Sequence, residues 1–168
     1  MPAKPEHMTH LHGDTLVPKS HPRILFRGKL DSLQAQVVLI QCDLEAAGAD
    51  PVLLADLQEV LELLRALMRS EVLDEPLVWD TLFGLCFDEL HAQSHNPQAY
   101  FSVRAMTPPD AALGRTYALL NVLRTTVREA ELAAVTAFGT ERPDLRLALN
   151  RLSSAVYVLM CRTLEASL

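Results

Sequence analysis

The spacing of apolar residues near the C-terminus constrains the fold most strongly. Steps of four and three residues alternate through Leu145, Leu149, Leu152, Val156 and Leu159. This spacing places the side chains along one face of an α-helix, as in the seam of a helical bundle. The sequence therefore predicts a helix from about residue 143 to 166 that packs against other helices.

Three further segments show the same helical spacing. They cover about residues 19–47, 51–68 and 110–138. Asp50 is a residue type favoured at a helix N-cap, and Pro51 suits the first helical position. Residues 79–94 fit either one helix or a helix divided at Gly84, and no segment shows the alternation typical of a strand. We therefore predict an all-α, up-and-down bundle of four to five helices.

Composition and charge exclude several classes of protein. The chain has 168 residues and a net charge of -6, which argues against a general nucleic-acid binder with a basic face. No apolar run approaches the roughly 18 residues of a membrane span, and residues 1–14 lack the apolar core of a signal peptide. Cys42, Cys86 and Cys161 lie among apolar residues, so we interpret them as reduced core residues of a cytoplasmic protein.

The chain divides into two regions by composition. Residues 1–18 contain Pro2, Pro5, Gly13 and Pro18 with few apolar residues, so we predict a flexible N-terminal segment. Residues 19–168 form the predicted helical-bundle domain.

A line of polar residues runs beside the apolar face of the helix near 110–138. Asn121, Arg124, Arg128 and Glu131 follow at steps of three, four and three. Two other helices carry similar lines: Asp31, Gln34 and Gln41, and Asn150, Ser154 and Tyr157. The arginine fork matches phosphate oxygens, so convergence of the three lines predicts a polyanion site between helices. The alternative is a solvated surface with ordinary i,i+4 pairs.

Three segments in order resemble the ATP:corrinoid adenosyltransferase family. Residues 19–35 resemble its pattern K-x-x-x-R-x-x-x-x-G-x-x-D-x-L at the start of the first helix. Residues 123–131 resemble its A-R-T-x-x-R-R-A-E helix, and residues 149–153 match its L-N-R-L-S segment. The resemblance extends from about Thr9 to Val158.

The ethanolamine-utilization branch of that family is the most similar. The segments that carry this likeness are residues 9–11, 67–69, 75–77, 88–91, 94–95 and 142–145. That branch often has a longer N-terminal region with a cysteine-rich metal motif. No cysteine precedes Cys42, so we expect this sequence to lack that metal site.

The resemblance implies a five-helix bundle that assembles as a homotrimer, or alternatively as a dimer, with the active site between subunits. Arg124, Arg128 and Glu131 are the implied catalytic group. Arg124 is expected to pair with Asp31 of a neighbouring subunit. The implied ATP-binding residues are Lys19, Arg23, Arg128, Glu131 and Asn150.

The implied reaction transfers the 5′-deoxyadenosyl group of ATP to the cobalt of reduced cobalamin, with Mg²⁺ or another divalent ion, and releases triphosphate. The expected partners are a corrinoid reductase and an adenosylcobalamin-dependent lyase. The expected location is the cytoplasm, with association with a bacterial microcompartment as a variant. The alternative function is a non-catalytic corrinoid carrier or a structural partner in ethanolamine utilization.

The family also displaces the lower axial ligand of the corrin with apolar groups. In one branch a Phe takes this role, and the corresponding position here is Pro108. Tyr100, Phe101 and Met106 are the candidate replacements, with ordinary packing as the alternative.

His91 and His95 are four residues apart, a spacing that allows two histidines to share a metal ion on one helix face. A hydrogen-bonding role at a helix end is the alternative. The N-terminal phosphate loop of much of the family, T-K-T-G-D-x-G, is matched only faintly by Thr9 and residues 13–15.

Overall fold

A computed structural model describes residues 4–104 and 107–167 of the chain. The helices α1 to α6 are Pro22–Ala46, Pro51–Leu73, Phe87–His95, Pro97–Tyr100, Arg115–Phe138 and Pro143–Glu165. The long helices pack side by side in the order α2, α1, α5, α6, and α3 packs on α6. The predicted all-α bundle of four to five helices is confirmed, with α4 as an additional single turn.

The second long helix begins as predicted and ends later than predicted. The Asp50 side chain accepts a hydrogen bond from the backbone N–H of Val52 at 2.9 Å, so it caps the helix that Pro51 opens. The helix continues through Leu73 and ends where Asp74 adopts a left-handed conformation with φ of 57°.

One continuous hydrophobic core fills the bundle. Every residue of the predicted seam in α6, from Leu145 to Leu159, is at most 1% exposed. Leu120, Leu123 and Val127 of α5 are fully buried and face this seam. The same periodicity that predicted the helices therefore defines the core.

The N-terminal segment contains strands that the sequence did not predict. The strands β1 and β2 are Met8–His12 and Thr15–Pro18, and they pair antiparallel. Arg27 Nη2 donates to the carbonyl oxygen of Leu11 at 2.8 Å, and His12 Nδ1 lies 3.0 Å from the carbonyl oxygen of Val72. The expectation that this segment has no strand is wrong for residues 8–18, because contacts of the hairpin with α1 and α2, remote in sequence, support it.

A second hairpin replaces the first part of the predicted helix over residues 79–94. Its strands β3 and β4 are Thr81–Leu82 and Leu85–Cys86. Phe83 and Gly84 form the turn with φ of 58° and 73°, a backbone conformation that an α-helix excludes. The helix α3 therefore begins only at Phe87.

The exposure of the cysteines and the length of the helices test two further expectations. All three cysteines are free, but Cys42 and Cys86 are exposed and only Cys161 is buried, which corrects their interpretation as core residues. Desolvation raises the pKa of the Cys161 thiol to about 11. None of the helices in the described part of the chain combines the length and apolar character that a bilayer span requires.

Candidate active site

Two clefts lie side by side where α3, α5 and α6 meet. The larger has a volume of about 610 Å³ and the smaller about 430 Å³. Four residues line both clefts: His95, Arg128, Ser153 and Ser154. These residues mark the junction of the two clefts.

The larger cleft, which we call the broad cleft, has mostly ring-bearing and apolar walls. These walls include Pro97, Pro108, Pro109, Tyr117, Tyr157 and Met160. Asn121 and Arg124 of α5 supply polar groups at one side. A concave, largely apolar wall with convergent polar groups is typical of a site that binds a small organic molecule or cofactor.

Arg128 is exposed at the junction of the two clefts. Among the residues that the structure describes, its guanidinium makes no hydrogen bond or ion pair. Its position on α5, one turn from Arg124, follows from the spacing that the sequence shows. An unpaired guanidinium in a cleft is suited to bind an anion, because its fork matches two phosphate oxygens.

Glu131 and Asn150 face each other across the smaller cleft, which we call the polar cleft. Asn150 Nδ2 donates to Glu131 Oε1 at 3.0 Å, and Asn150 Oδ1 accepts from Arg151 Nη1 at 2.6 Å. These two bonds fix the orientation of the Asn150 amide. The predicted convergence of the polar lines on α5 and α6 is therefore present in the geometry.

Arg124 is held by its own helix. Its Nε and Nη2 atoms donate to Asn121 Oδ1 at 3.1 and 3.0 Å. Asp31 is exposed on α1, and within the described chain it forms no ion pair with Arg124. The expected pairing of Asp31 with Arg124 between subunits stays a prediction for an assembled protein.

The polar line on α1 does not join the other two. Gln41 Nε2 donates to Gln58 Oε1 at 3.2 Å, on the side of α1 that faces α2. Gln34 lines a separate groove with Arg65 and Arg69. Within one chain the α1 line therefore stays apart from the other two, and its convergence with them stays a prediction for an assembled protein.

The predicted ATP ligands Lys19 and Arg23 lie at the start of α1, apart from the two clefts of the same chain. Arg23 Nε donates to Glu71 Oε1 at 2.6 Å, and Arg23 Nη2 donates to the Glu71 carbonyl oxygen at 3.0 Å. Arg27 also donates to the Glu71 carboxylate. Lys19 is exposed between β2 and α1.

Glu71 is a residue that the sequence analysis missed. Its side chain is 0% exposed and bonds to two arginines. The signal was present, because Glu71 continues the steps of three and four through Val60, Leu64 and Leu67 on the buried face of α2. A carboxylate at a core position of a helix predicts nearby cations, since an unpaired buried charge is costly.

The three candidates for facing a corrinoid differ in their placement. Phe101 is 9% exposed and packs in the core, whereas Tyr100 is 52% exposed. Neither is among the residues that line the broad cleft, and Met106 lies outside the described residues. Pro108, the position at which one branch has a Phe, does line this cleft.

His91 and His95 lie together at the edge of the polar cleft. Their ring centroids are 4.0 Å apart, and His95 Nδ1 lies 3.0 Å from the His91 carbonyl oxygen. Partial desolvation, with His95 and Arg151 nearby, lowers the pKa of His91. No group of three or more His, Cys, Asp and Glu side chains is placed to hold a metal ion within residues 4–104 and 107–167. Metal binding by His91 and His95 stays a prediction.

Comparisons with known proteins give this geometry a family. The sequence model of the cobalamin adenosyltransferase family matches residues 2–163. Corrinoid adenosyltransferase EutT of Salmonella typhimurium strain LT2 is 44% identical over 162 residues, which cover 94% of this chain and 58% of that protein. The protein of the same name from Escherichia coli strain K12 is 43% identical over 164 residues, with the same coverage of 94% and 58%.

A solved structure shares the fold. It is a variant of a PduO-type ATP:corrinoid adenosyltransferase from Lactobacillus reuteri complexed with cobalamin and ATP, with a TM-score of 0.69 and 19% identity. The match covers 93% of this chain and 87% of that one. The chain spans 58% of the length of the curated relatives. With a family match over nearly its whole length, the chain belongs to the cobalamin adenosyltransferase family.

Proposed function

We propose that this chain transfers the 5′-deoxyadenosyl group of ATP to the cobalt of reduced cobalamin. The observation that carries the proposal is the junction at Arg128, where an unpaired guanidinium lies between a polar cleft and a broad apolar cleft. The names of the relatives support the same reaction. The proposal assigns the triphosphate end of ATP to the polar cleft and the corrin face to the broad cleft.

The reaction explains why the clefts need no protein nucleophile. The reduced cobalt carries the electron pair that attacks C5′ of the ribose, and the C5′–O bond breaks as triphosphate leaves. The protein's work is therefore to position the two reactants and to stabilise the charge of the leaving group. Arg128 supplies positive charge at the junction, and Asn150 supplies an amide that Glu131 and Arg151 hold in place.

A divalent ion such as Mg²⁺ fits this arrangement. Glu131 Oε2 makes no hydrogen bond to another described residue, so the carboxylate retains an oxygen of the type that Mg²⁺ binds. Mg²⁺ usually takes one or two carboxylates together with substrate phosphates. When bound, the ion would neutralise part of the triphosphate charge beside Glu131.

Lys19 and Arg23 enter the proposal through assembly. Neither residue lines the two clefts of its own chain, so we propose that they reach ATP where the start of α1 meets the clefts of another subunit. Asp31, on the same helix as Arg23, is exposed and available to Arg124 of that neighbour. A site between subunits requires an oligomer, and we propose the homotrimer that the family resemblance implies, with a dimer as the alternative.

The proposed reaction also requires a source of reduced cobalamin and a use for its product. A corrinoid reductase must supply the reduced cobalamin, and an adenosylcobalamin-dependent lyase consumes the product. We propose the cytoplasm as the location, with association with a microcompartment for ethanolamine utilization as the variant.

The test is direct. Purified protein is mixed with MgATP and chemically reduced cobalamin under anaerobic conditions, and loss of the cob(I)alamin absorbance is followed with triphosphate release. Formation of adenosylcobalamin and triphosphate in equal amounts is the expected result. Cobalamin binding by calorimetry without turnover or ATP binding would instead indicate the carrier function.

A further inference from the structure

The residue His95 occupies a position that the proposed function does not yet use. It lines both the broad cleft and the polar cleft, as Arg128 does. If triphosphate lies in the polar cleft and the corrin in the broad cleft, then C5′ and the ribose must lie at this junction. His95 is therefore placed beside the sugar of the adenosyl donor.

Hydrogen bonding fixes the tautomer of the His95 ring. Its Nδ1 lies 3.0 Å from the His91 carbonyl oxygen, which only accepts hydrogen bonds, so Nδ1 carries the hydrogen. Ser94 Oγ donates to that same carbonyl at 3.0 Å and lies 3.2 Å from Nδ1, so it is oriented to accept from Nδ1 and not to donate to it. In the neutral ring, Nε2 is left with a lone pair that can accept a hydrogen bond.

The acceptor character of Nε2 selects among the groups of ATP. Triphosphate oxygens accept hydrogen bonds and so cannot pair with Nε2, which is also an acceptor. The ribose hydroxyls can donate to it. The 3′-hydroxyl is attached to C3′, which is bonded to C4′, and C4′ bears C5′. The 3′-hydroxyl is therefore closer to the reacting carbon than the 2′-hydroxyl is. We propose, resting on the proposed function, that His95 Nε2 accepts a hydrogen bond from the ribose 3′-hydroxyl and positions C5′ towards the cobalt.

His95 is thus a positioning residue whose removal has a specific signature. A substitution of His95 changes only the imidazole. It leaves intact the charged groups around it on α5 and α6, which are Arg128, Glu131 and Arg151. Loss of one neutral hydrogen bond lowers kcat/KM by about 3- to 10-fold. A site that binds a hydroxyl also discriminates against the analogue that lacks it.

The experiment measures kcat/KM and Kd for ATP, 3′-deoxyATP and 2′-deoxyATP. Wild-type protein is expected to prefer ATP over 3′-deoxyATP by about 3- to 10-fold. In His95→Leu this preference should fall to about 1, while the ratio for 2′-deoxyATP stays at its wild-type value. His95→Gln places an amide group near the position of Nε2 and should restore part of the preference.

His91→Ala is the matched control. It removes the neighbouring imidazole and keeps the backbone carbonyl that bonds His95 Nδ1, so the preference over 3′-deoxyATP should persist. Thermal melting of each variant reports its folding. The proposal is overturned if wild type does not discriminate against 3′-deoxyATP, or if His95→Leu discriminates as wild type does. Absence of wild-type turnover with ATP would contradict the proposed function instead, and the Kd ratios would still test His95.

Discussion

Arg23 donates through Nε to Glu71 Oε1 at 2.6 Å, and the Glu71 side chain is completely buried. Arg27 shares the same carboxylate. The start of α1 is therefore joined to the end of α2 by one negative charge between two positive charges. A residue that the family resemblance assigns to ATP also has a structural task in this chain.

Replacement of Glu71 by Ala should strongly destabilise the fold. It leaves Arg23 and Arg27, which are 18% and 17% exposed, without their common partner. Removal of one partner of a buried ion pair costs about 3–5 kcal/mol, because a poorly solvated charge remains. Urea unfolding measures the change in the free energy of unfolding. Arg69→Ala, whose pair with Glu75 is exposed, is the control and should change that energy by less than about 1 kcal/mol.

The contacts of Glu71 show which features of this fold could be predicted from the sequence and which could not. The apolar seam of α6 is a local property, because residues three and four apart share a helix face whatever surrounds them. The partners of Glu71 are 44 and 48 positions away, and no spacing rule connects them. The β1–β2 hairpin was missed for the same reason, since contacts to α1 and α2 hold it.

The same distinction between local spacing and remote contacts applies to the candidate site. Arg124, Arg128 and Glu131 are on one helix, so their spacing predicted a shared face, and Asn150 on α6 donates to Glu131 at 3.0 Å. The direction in which α1 turns its polar face depends on packing against α2. That direction was not predictable from the positions of Asp31 and Gln34 alone.

Replacement of Arg128 by Ala should impair ATP use while leaving cobalamin binding nearly unchanged. Its guanidinium has no partner among the described residues, so the fold does not depend on it, whereas the proposed function assigns it to the leaving triphosphate. Loss of one preorganised charge-stabilising donor lowers kcat by about 100- to 1,000-fold. Steady-state kinetics and cobalamin titrations separate the two effects. Arg128→Lys keeps the charge without the fork and should lose less, and equal losses of ATP use and cobalamin binding would contradict the assignment.

The Asp31–Arg124 pairing between subunits can be tested by reversing charges. Asp31→Arg and Arg124→Asp should each weaken self-association by at least about 10-fold, because like charges then oppose each other. Sedimentation velocity measures the assembly. Mixing the two variants should partly restore it, since opposite charges meet again at interfaces between unlike subunits. If the mixture assembles no better than either variant alone, the two residues do not pair across an interface.

Asp144 provides a prediction about stability and pH. Its Oδ2 accepts from the backbone N–H of Leu77 and from Arg142 Nη2, each at 2.9 Å, and so ties the start of α6 to the segment after α2. Burial alone would raise the pKa of this carboxyl, but the hydrogen bonds from Arg142, Leu77 and Leu145 outweigh burial. The pKa of Asp144 is therefore lowered from its ordinary value of 3.8.

The sign of the effect follows from proton linkage. Because the folded state binds this proton less readily than the unfolded state, ionised Asp144 adds stability in full above pH 3.8 and loses it as the pH falls through the lowered folded-state pKa. Asp144→Asn should reduce the free energy of unfolding by about 1–2 kcal/mol at pH 7, with the deficit shrinking below about pH 4. Urea unfolding from pH 7 to pH 3 measures it. Glu141→Gln removes an exposed charge in the same turn and should stay within about 0.5 kcal/mol of wild type. A deficit for Asp144→Asn that grows on acidification would show that Asp144 is not stabilised as an anion.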